Sequence, residues 1–119
     1  MNFLFEKLQQ AARSNPTETA LISGSETVSN QQLLEAVDTL SQALKTFHFK
    51  CIALYMDNSI NWIIADLAAM KLGITLIPIP LFFSQGQIQH LVQDAGIEAV
   101  LSETSQPHSF DIKNTLEFK

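Results

Sequence analysis

Between Cys51 and Pro80 the apolar positions pass from a short continuous run to a helical spacing and back to a run. Cys51 to Met56 is an unbroken apolar stretch of the kind that makes a buried strand. Asp57-Asn58-Ser59 interrupts it and supplies an N-cap for the next element. Ile60 to Leu72 then reads as a helix, with Ile63, Leu67, Met70 and the small Ala65, Ala68 and Ala69 as a wide apolar face. Gly73 is placed to stop that helix in a left-handed cap. Ile74 to Ile79 is a second apolar run, closed by Pro78 and Pro80. Strand, helix and strand with such short links predict a βαβ crossover, parallel and right-handed.

The flanking segments extend this pattern in both directions. Phe3 to Ser14 predicts a helix with Leu4, Leu8, Ala11 and Ala12 on one face, ended by Asn15-Pro16. Ala20–Ser23 and Glu26–Val28 flank Gly24-Ser25, a two-residue hairpin turn with glycine first. Ser29 and Gln32 form a capping box ahead of a helix striped by Leu33, Val37, Leu40, Leu44 and Phe47. After Leu81-Phe82-Phe83, Ser84 and Gln87 form a second capping box for a helix carrying Ile88, Leu91, Val92 and Ala95. Gly96 ends it, and Ile97 to Leu101 is a third short strand. The fold class is therefore α/β: a β-α-β-α-β parallel half of a doubly wound sheet, preceded by helix, β-hairpin and helix. The periodicity fades after Ser102, so 1–103 reads as the domain and 104–119 as a linker or truncated end, with one more short element between Phe110 and Lys119.

Composition narrows the function. One domain is expected from 119 residues, and charged residues are scarce at 16% against roughly 25% in soluble domains. Abundant neutral polar residues account for part of that deficit, and apolar surface awaiting a partner accounts for the rest. A net charge of −5 without a basic run argues against nucleic acid or an anionic membrane as partner. No apolar segment is long enough for membrane insertion, and the N-terminus lacks the charged and apolar regions of a signal peptide. Cys51 is the single cysteine, which fits a reducing cytoplasm and reads as a structural thiol opening a strand.

Residues able to do chemistry do not assemble into a recognisable site. A dinucleotide cradle needs glycines between strand and helix, and the turn here is Asp57-Asn58-Ser59. Gly24, Gly73, Gly86 and Gly96 stand singly, so no phosphate loop exists. Asp57 at a strand's carboxyl end invites comparison with a phospho-acceptor, but the companion acidic cluster and lysine are missing, and a capping role is the simpler reading. His48, His90 and His108 have no cysteine or carboxylate at metal-ligand spacing. Trp62, Phe82 and Phe83 read as packing groups, since no basic residues are interleaved with them. The sequence therefore assigns no residue a catalytic, cofactor-binding or metal-binding role.

One stretch does resemble a known family. Met70-Lys71-Leu72-Gly73 followed by Leu76-Ile77-Pro78-Ile79-Pro80 is similar to the second core motif of adenylate-forming (AMP-binding) enzymes, the superfamily of acyl-CoA synthetases, adenylation domains and luciferases. Val28 to Leu33 echoes the first core motif, with Asn30 in place of its tyrosine and Gln32 in place of its acidic residue. The similarity runs from about Phe3 to Glu103 and covers only the opening part of a full-length enzyme. It implies a parent ligase that joins a carboxylate to the α-phosphate of Mg-ATP and passes the acyl group to a thiol, on coenzyme A or a carrier pantetheine. The phosphate loop, the ribose-binding acid and the catalytic lysine of that family lie downstream, so none maps onto this chain. Pro78-Ile79-Pro80 lacks the aspartate that many peptide-synthetase domains place after this proline, which points to an acyl-CoA synthetase type. The resemblance further implies that Lys119 is a cut end, that the remainder of the parent enzyme is the main partner, that the fragment is inactive alone, and that it self-associates. Two other readings stay open: a stand-alone, non-catalytic interaction module of the same fold, and an unrelated small ligand-binding α/β domain.

Overall fold

Residue parity along an inner strand of the parallel sheet decides which side chain enters which layer. The structure, a computed structural model, describes residues 3–57, 59–103 and 114–117. In it β3 (Cys51–Tyr55) is flanked by β4 (Thr75–Pro78) and β5 (Ala99–Ser102), with β6 (Asn114–Glu117) beyond β5, giving the order β4-β3-β5-β6. All three pairings are parallel, and the βαβ pattern predicts this for β3, β4 and β5. Successive side chains of a strand point to opposite faces. Ile52, Leu54 and Met56 accordingly face one layer, and Ala53 and Tyr55 the other.

The two layers are built from different helices. On one face α2 (Asn30–Lys45) and α3 (Ile60–Leu72) supply Leu40, Leu44 and Ala65 against Ile52, Leu54, Ala99 and Leu101. On the other, α4 (Gln85–Ala95) places Ile88 and Val92 against Ala53, Tyr55 and Val100. Helices on both faces of a parallel sheet make this the doubly wound arrangement expected from the sequence. Outside α2 and α3, α1 (Phe3–Ser14) and the hairpin of β1 (Thr19–Ser23) and β2 (Glu26–Ser29) add a further layer. Asn30 anchors it: its side-chain amide donates to the Asn15 carbonyl at 3.0 Å, and its backbone N–H donates to Glu18 at 2.8 Å.

Local signals set the element ends. Ser29 and Ser84 cap α2 and α4 through complete capping boxes with Gln32 and Gln87. Ser59 caps α3 by accepting from the Trp62 N–H. Gly73 and Gly96 close α3 and α4 at φ of 72° and 67°, a left-handed conformation that costs any other residue. The element expected near the end of the chain is β6, in register with β5 from Ala99–Asn114 to Ser102–Glu117. The expected loop, including His108, lies outside the described residues, as does Asn58.

Packing corrects five side-chain assignments. In α1 it is Phe5, with Leu8 and Ala12, that is buried, whereas Leu4 is exposed. The sequence offers two adjacent apolar stripes, and contact with α2 and α3 selects the one carrying the larger ring. In α3 the inward residues are Ile60, Ile64, Leu67 and Ala68 towards α1 and α2, while Ile63 and Met70 are exposed. That helix is apolar almost all round, so only its neighbours define an inner face. Phe47 falls beyond the end of α2 and stacks on Phe49 at the surface, with centroids 4.9 Å apart. Phe82 is not a packing group either, being the most exposed large apolar side chain among the described residues.

At the amino edge of the sheet Glu98 joins two strands. Its carboxylate accepts from the backbone N–H groups of Lys50 at 2.7 Å and Cys51 at 3.0 Å. The Lys50 and then the Cys51 hydrogen bond hold its carboxyl below the usual carboxylate range. A depressed folded-state value adds stability above the unfolded value, and that stability is lost as pH falls through the folded one. Glu98→Gln is therefore expected to be less stable than wild type at neutral pH, with the gap closing in acid. Urea midpoints at neutral pH and below the carboxylate range will test this; a gap independent of pH contradicts the assignment.

Candidate functional site

In an open α/β sheet the natural binding crevice lies outside the carboxyl ends of the strands, where adjacent connections diverge. Here that point is between β3 and β5: β3 leads to β4 on one side, and β6 lies beyond β5 on the other. The turn after β3 brings Ser59 and Asn61 to this edge, and β5 ends in Ser102-Glu103. Glu103 reaches across to them. One carboxylate oxygen accepts from the Asn61 side-chain amide at 2.8 Å and from the Ser59 hydroxyl at 3.3 Å.

This geometry answers whether the crevice suits a nucleotide. A helix N-terminus attracts anions through its unpaired N–H groups and its dipole. At α3 the Trp62 N–H is already taken by Ser59, and a carboxylate stands at the helix start. No basic side chain joins this group in any hydrogen bond among the described residues. An incoming phosphate would meet Glu103, so the residues present do not fit the phosphates of ATP. What they do fit is a clasp tying the start of α3 to the end of β5. Removing it with Glu103→Ala is expected to lower stability by about 1 kcal/mol, the scale of a partly exposed charge-assisted pair. A double-mutant cycle with Asn61→Ala will show whether the two changes are coupled; fully additive losses would remove the clasp.

Other chemically capable residues stand apart. The half-buried Cys51 thiol points to the Ala95 carbonyl at 3.7 Å. Burial, and secondarily the Glu98 charge, pushes its pKa up, which makes it a poor nucleophile. His90 is exposed and pairs with Asp94 one turn along α4 at 2.9 Å. Lys71 is committed to Asp38 of α2 at 2.8 Å and lies 4.8 Å over the Phe5 ring. Among the described residues no three His, Cys, Asp or Glu side chains converge as metal ligands. A groove of about 440 Å³ runs between α1, β1, α2 and α3, lined by Leu4, Leu8, Leu21, Ile63 and Leu67. It offers packing surface rather than reactive groups.

Sequence reasoning found Ser59 as a cap but missed Glu103 as its partner. The available signal was an acidic residue directly after the third strand, level in a parallel sheet with the first strand's cap.

Residues 8–117, nearly the whole chain, match the family of AMP-binding enzymes. The chain belongs to that family. It is 25% identical over 104 residues to tyrocidine synthase 3 of Brevibacillus parabrevis, covering 85% of this chain and 2% of that protein. It is 26% identical over 105 residues to tyrocidine synthase 1 of the same organism, covering 86% of this chain and 10% of that one. Among solved structures, NpsA of Klebsiella oxytoca with 3-hydroxyanthranilyl-AMSN superposes with a TM-score of 0.81 at 18% identity, covering 98% of this chain and 25% of the other. The o-succinylbenzoate CoA synthetase of Bacillus subtilis, in complex with its acyl-adenylate intermediate, gives 0.71 at 22% identity, covering 82% and 26%. These structural likenesses establish the fold. The chain spans only a small part of the curated relatives it matches. No helix among the described residues is long and apolar enough to cross a membrane.

Proposed function

We propose that this chain is the N-terminal structural part of an ATP-dependent acid ligase that forms an acyl-adenylate and transfers the acyl group to a thiol. The observation carrying this reading is the family match over residues 8–117 within relatives many times longer. The clasp geometry supports a structural role: Glu103 fills the crevice where a phosphate would be drawn to α3. ATP and Mg belong to the parent enzyme and are held by residues outside this chain. Coenzyme A is the favoured acceptor, because Pro78-Ile79-Pro80 lacks the aspartate that peptide-synthetase domains commonly place after this proline. A cytoplasmic setting suits the free Cys51 thiol.

The test compares the 119-residue chain with the longer polypeptide encoded by its native reading frame. With Mg-ATP, a panel of carboxylic acids and a pyrophosphate-release readout, the longer polypeptide is expected to turn over and the shorter chain to stay at background. Turnover by the shorter chain would refute the structural role. A reading frame ending at Lys119 would refute the ligase-fragment reading and favour an interaction module.

A further inference from the structure

Where α2 and α3 both end, at the amino edge of the sheet, a cleft of about 320 Å³ opens. Its floor is Leu44, Phe49, Leu72 and Ile74, of which Leu44 is buried and the other three are half-buried. The size falls at the small end of the range for ligand pockets, about 300–1,000 Å³. Phe47 stiffens the Phe49 side, stacking on that ring with 5° between the planes. Lys45 and His48 complete the lining, both exposed at its mouth, and no acidic side chain lines it among the described residues.

An apolar floor under a basic rim selects a ligand with an apolar body and an anionic head. The side chains of Lys45 and His48 form no hydrogen bond or ion pair with another described residue, although the chain has 12 acidic residues to 7 lysines and arginines. Bare helix ends would oppose an anion, because their last carbonyls carry partial negative charge. Here those carbonyls are occupied. The Thr46 hydroxyl donates to Ala43 at 2.9 Å and the Phe47 N–H to Leu44 at 3.1 Å. The Gly73 and Ile74 N–H groups donate to Met70 at 3.3 Å and Ala69 at 2.9 Å. One ammonium and one imidazole offer few donors for a phosphate and suit the two oxygens of a carboxylate.

We propose that this cleft binds a short apolar carboxylate, its chain on Leu44, Phe49, Leu72 and Ile74 and its head on Lys45 and His48. The site is separate from the crevice held by Ser59 and Glu103. That crevice lies at the opposite edge, across β3, a strand of 5 residues, which spans roughly 15 Å.

The test titrates the 119-residue chain with sodium octanoate below its micelle concentration, at a dilution where sedimentation gives a monomer. Methyl resonances are followed by NMR. Saturable shifts are expected at Leu44, Leu72 and Ile74. Octanamide, which keeps the chain and loses the charge, and acetate, which keeps the charge and loses the chain, are each expected to bind at least about tenfold more weakly. The double variant Lys45→Gln/His48→Gly is expected to lose about as much for octanoate. Its fold should persist, because both side chains are exposed and His48 stands at φ of 58°, which glycine adopts freely. Equal affinity for octanamide and octanoate would overturn the proposal without calling on any variant. So would undiminished octanoate binding by the double variant, or no saturable shift at all. Shifts of equal size at Leu4 and Ile63, in the groove between α1 and α3, would mean unselective apolar binding and overturn it too.

Discussion

Replacing Leu54 with alanine is expected to cost about 3 kcal/mol, more than loss of any exposed side chain or of the Glu103 clasp. Leu54 lies in the central strand, is fully buried, and packs with Met56, Ala65 and Leu101 between the sheet and α3. Its backbone is pinned on both sides by parallel partners, Pro78 of β4 and Leu101 of β5. A strand held this way cannot shift to fill the space, so the transfer loss and most of the cavity term remain. Urea denaturation gives the difference directly through the midpoint at unchanged slope. Phe82→Ala serves as the contrast, because that ring is exposed and its removal is expected to leave stability within about 0.5 kcal/mol. Similar losses at both positions would mean that the layer assignment is wrong.

Enlarging Ala68 to leucine is expected to destabilise by about 2 kcal/mol for the opposite reason. Ala68 is fully buried where α3 meets α1 and α2, among Leu33, Val37, Ile64 and Leu67. A small residue at that crossing lets the helices approach closely, and the larger side chain would force them apart or push neighbours off their rotamers. Asp66→Leu adds apolar bulk to the exposed side of the same helix and is expected to be nearly neutral. Thermal unfolding of the pair separates a packing effect from a change in helix propensity. Equal melting temperatures for the two variants would refute the close helix contact.

The candidate site shows where sequence reading reached its limit. Ser59 was legible as a cap because capping needs only a short polar side chain before an apolar helix. Glu103 was not, because its partner is 44 residues away and nothing local distinguishes it from any other acidic residue after a strand. Family membership was legible locally, from Met70 to Pro80, where helix end, left-handed glycine and proline-bounded strand fall close together.

By itself the sequence determined the elements and their ends. Two capping boxes, two left-handed glycines and a glycine-led hairpin act through atoms within a few residues of each other, so they are read correctly without the fold. It also determined that β3, β4 and β5 run parallel, because links of that length with a helix between permit little else. Tertiary structure alone decided that β3 lies between β4 and β5, that Phe5 is buried and Leu4 exposed, and that Ile63, Met70 and Phe82 face outward. Those outcomes depend on which apolar surfaces meet, and a chain with more apolar faces than one small core can bury leaves that choice to its neighbours.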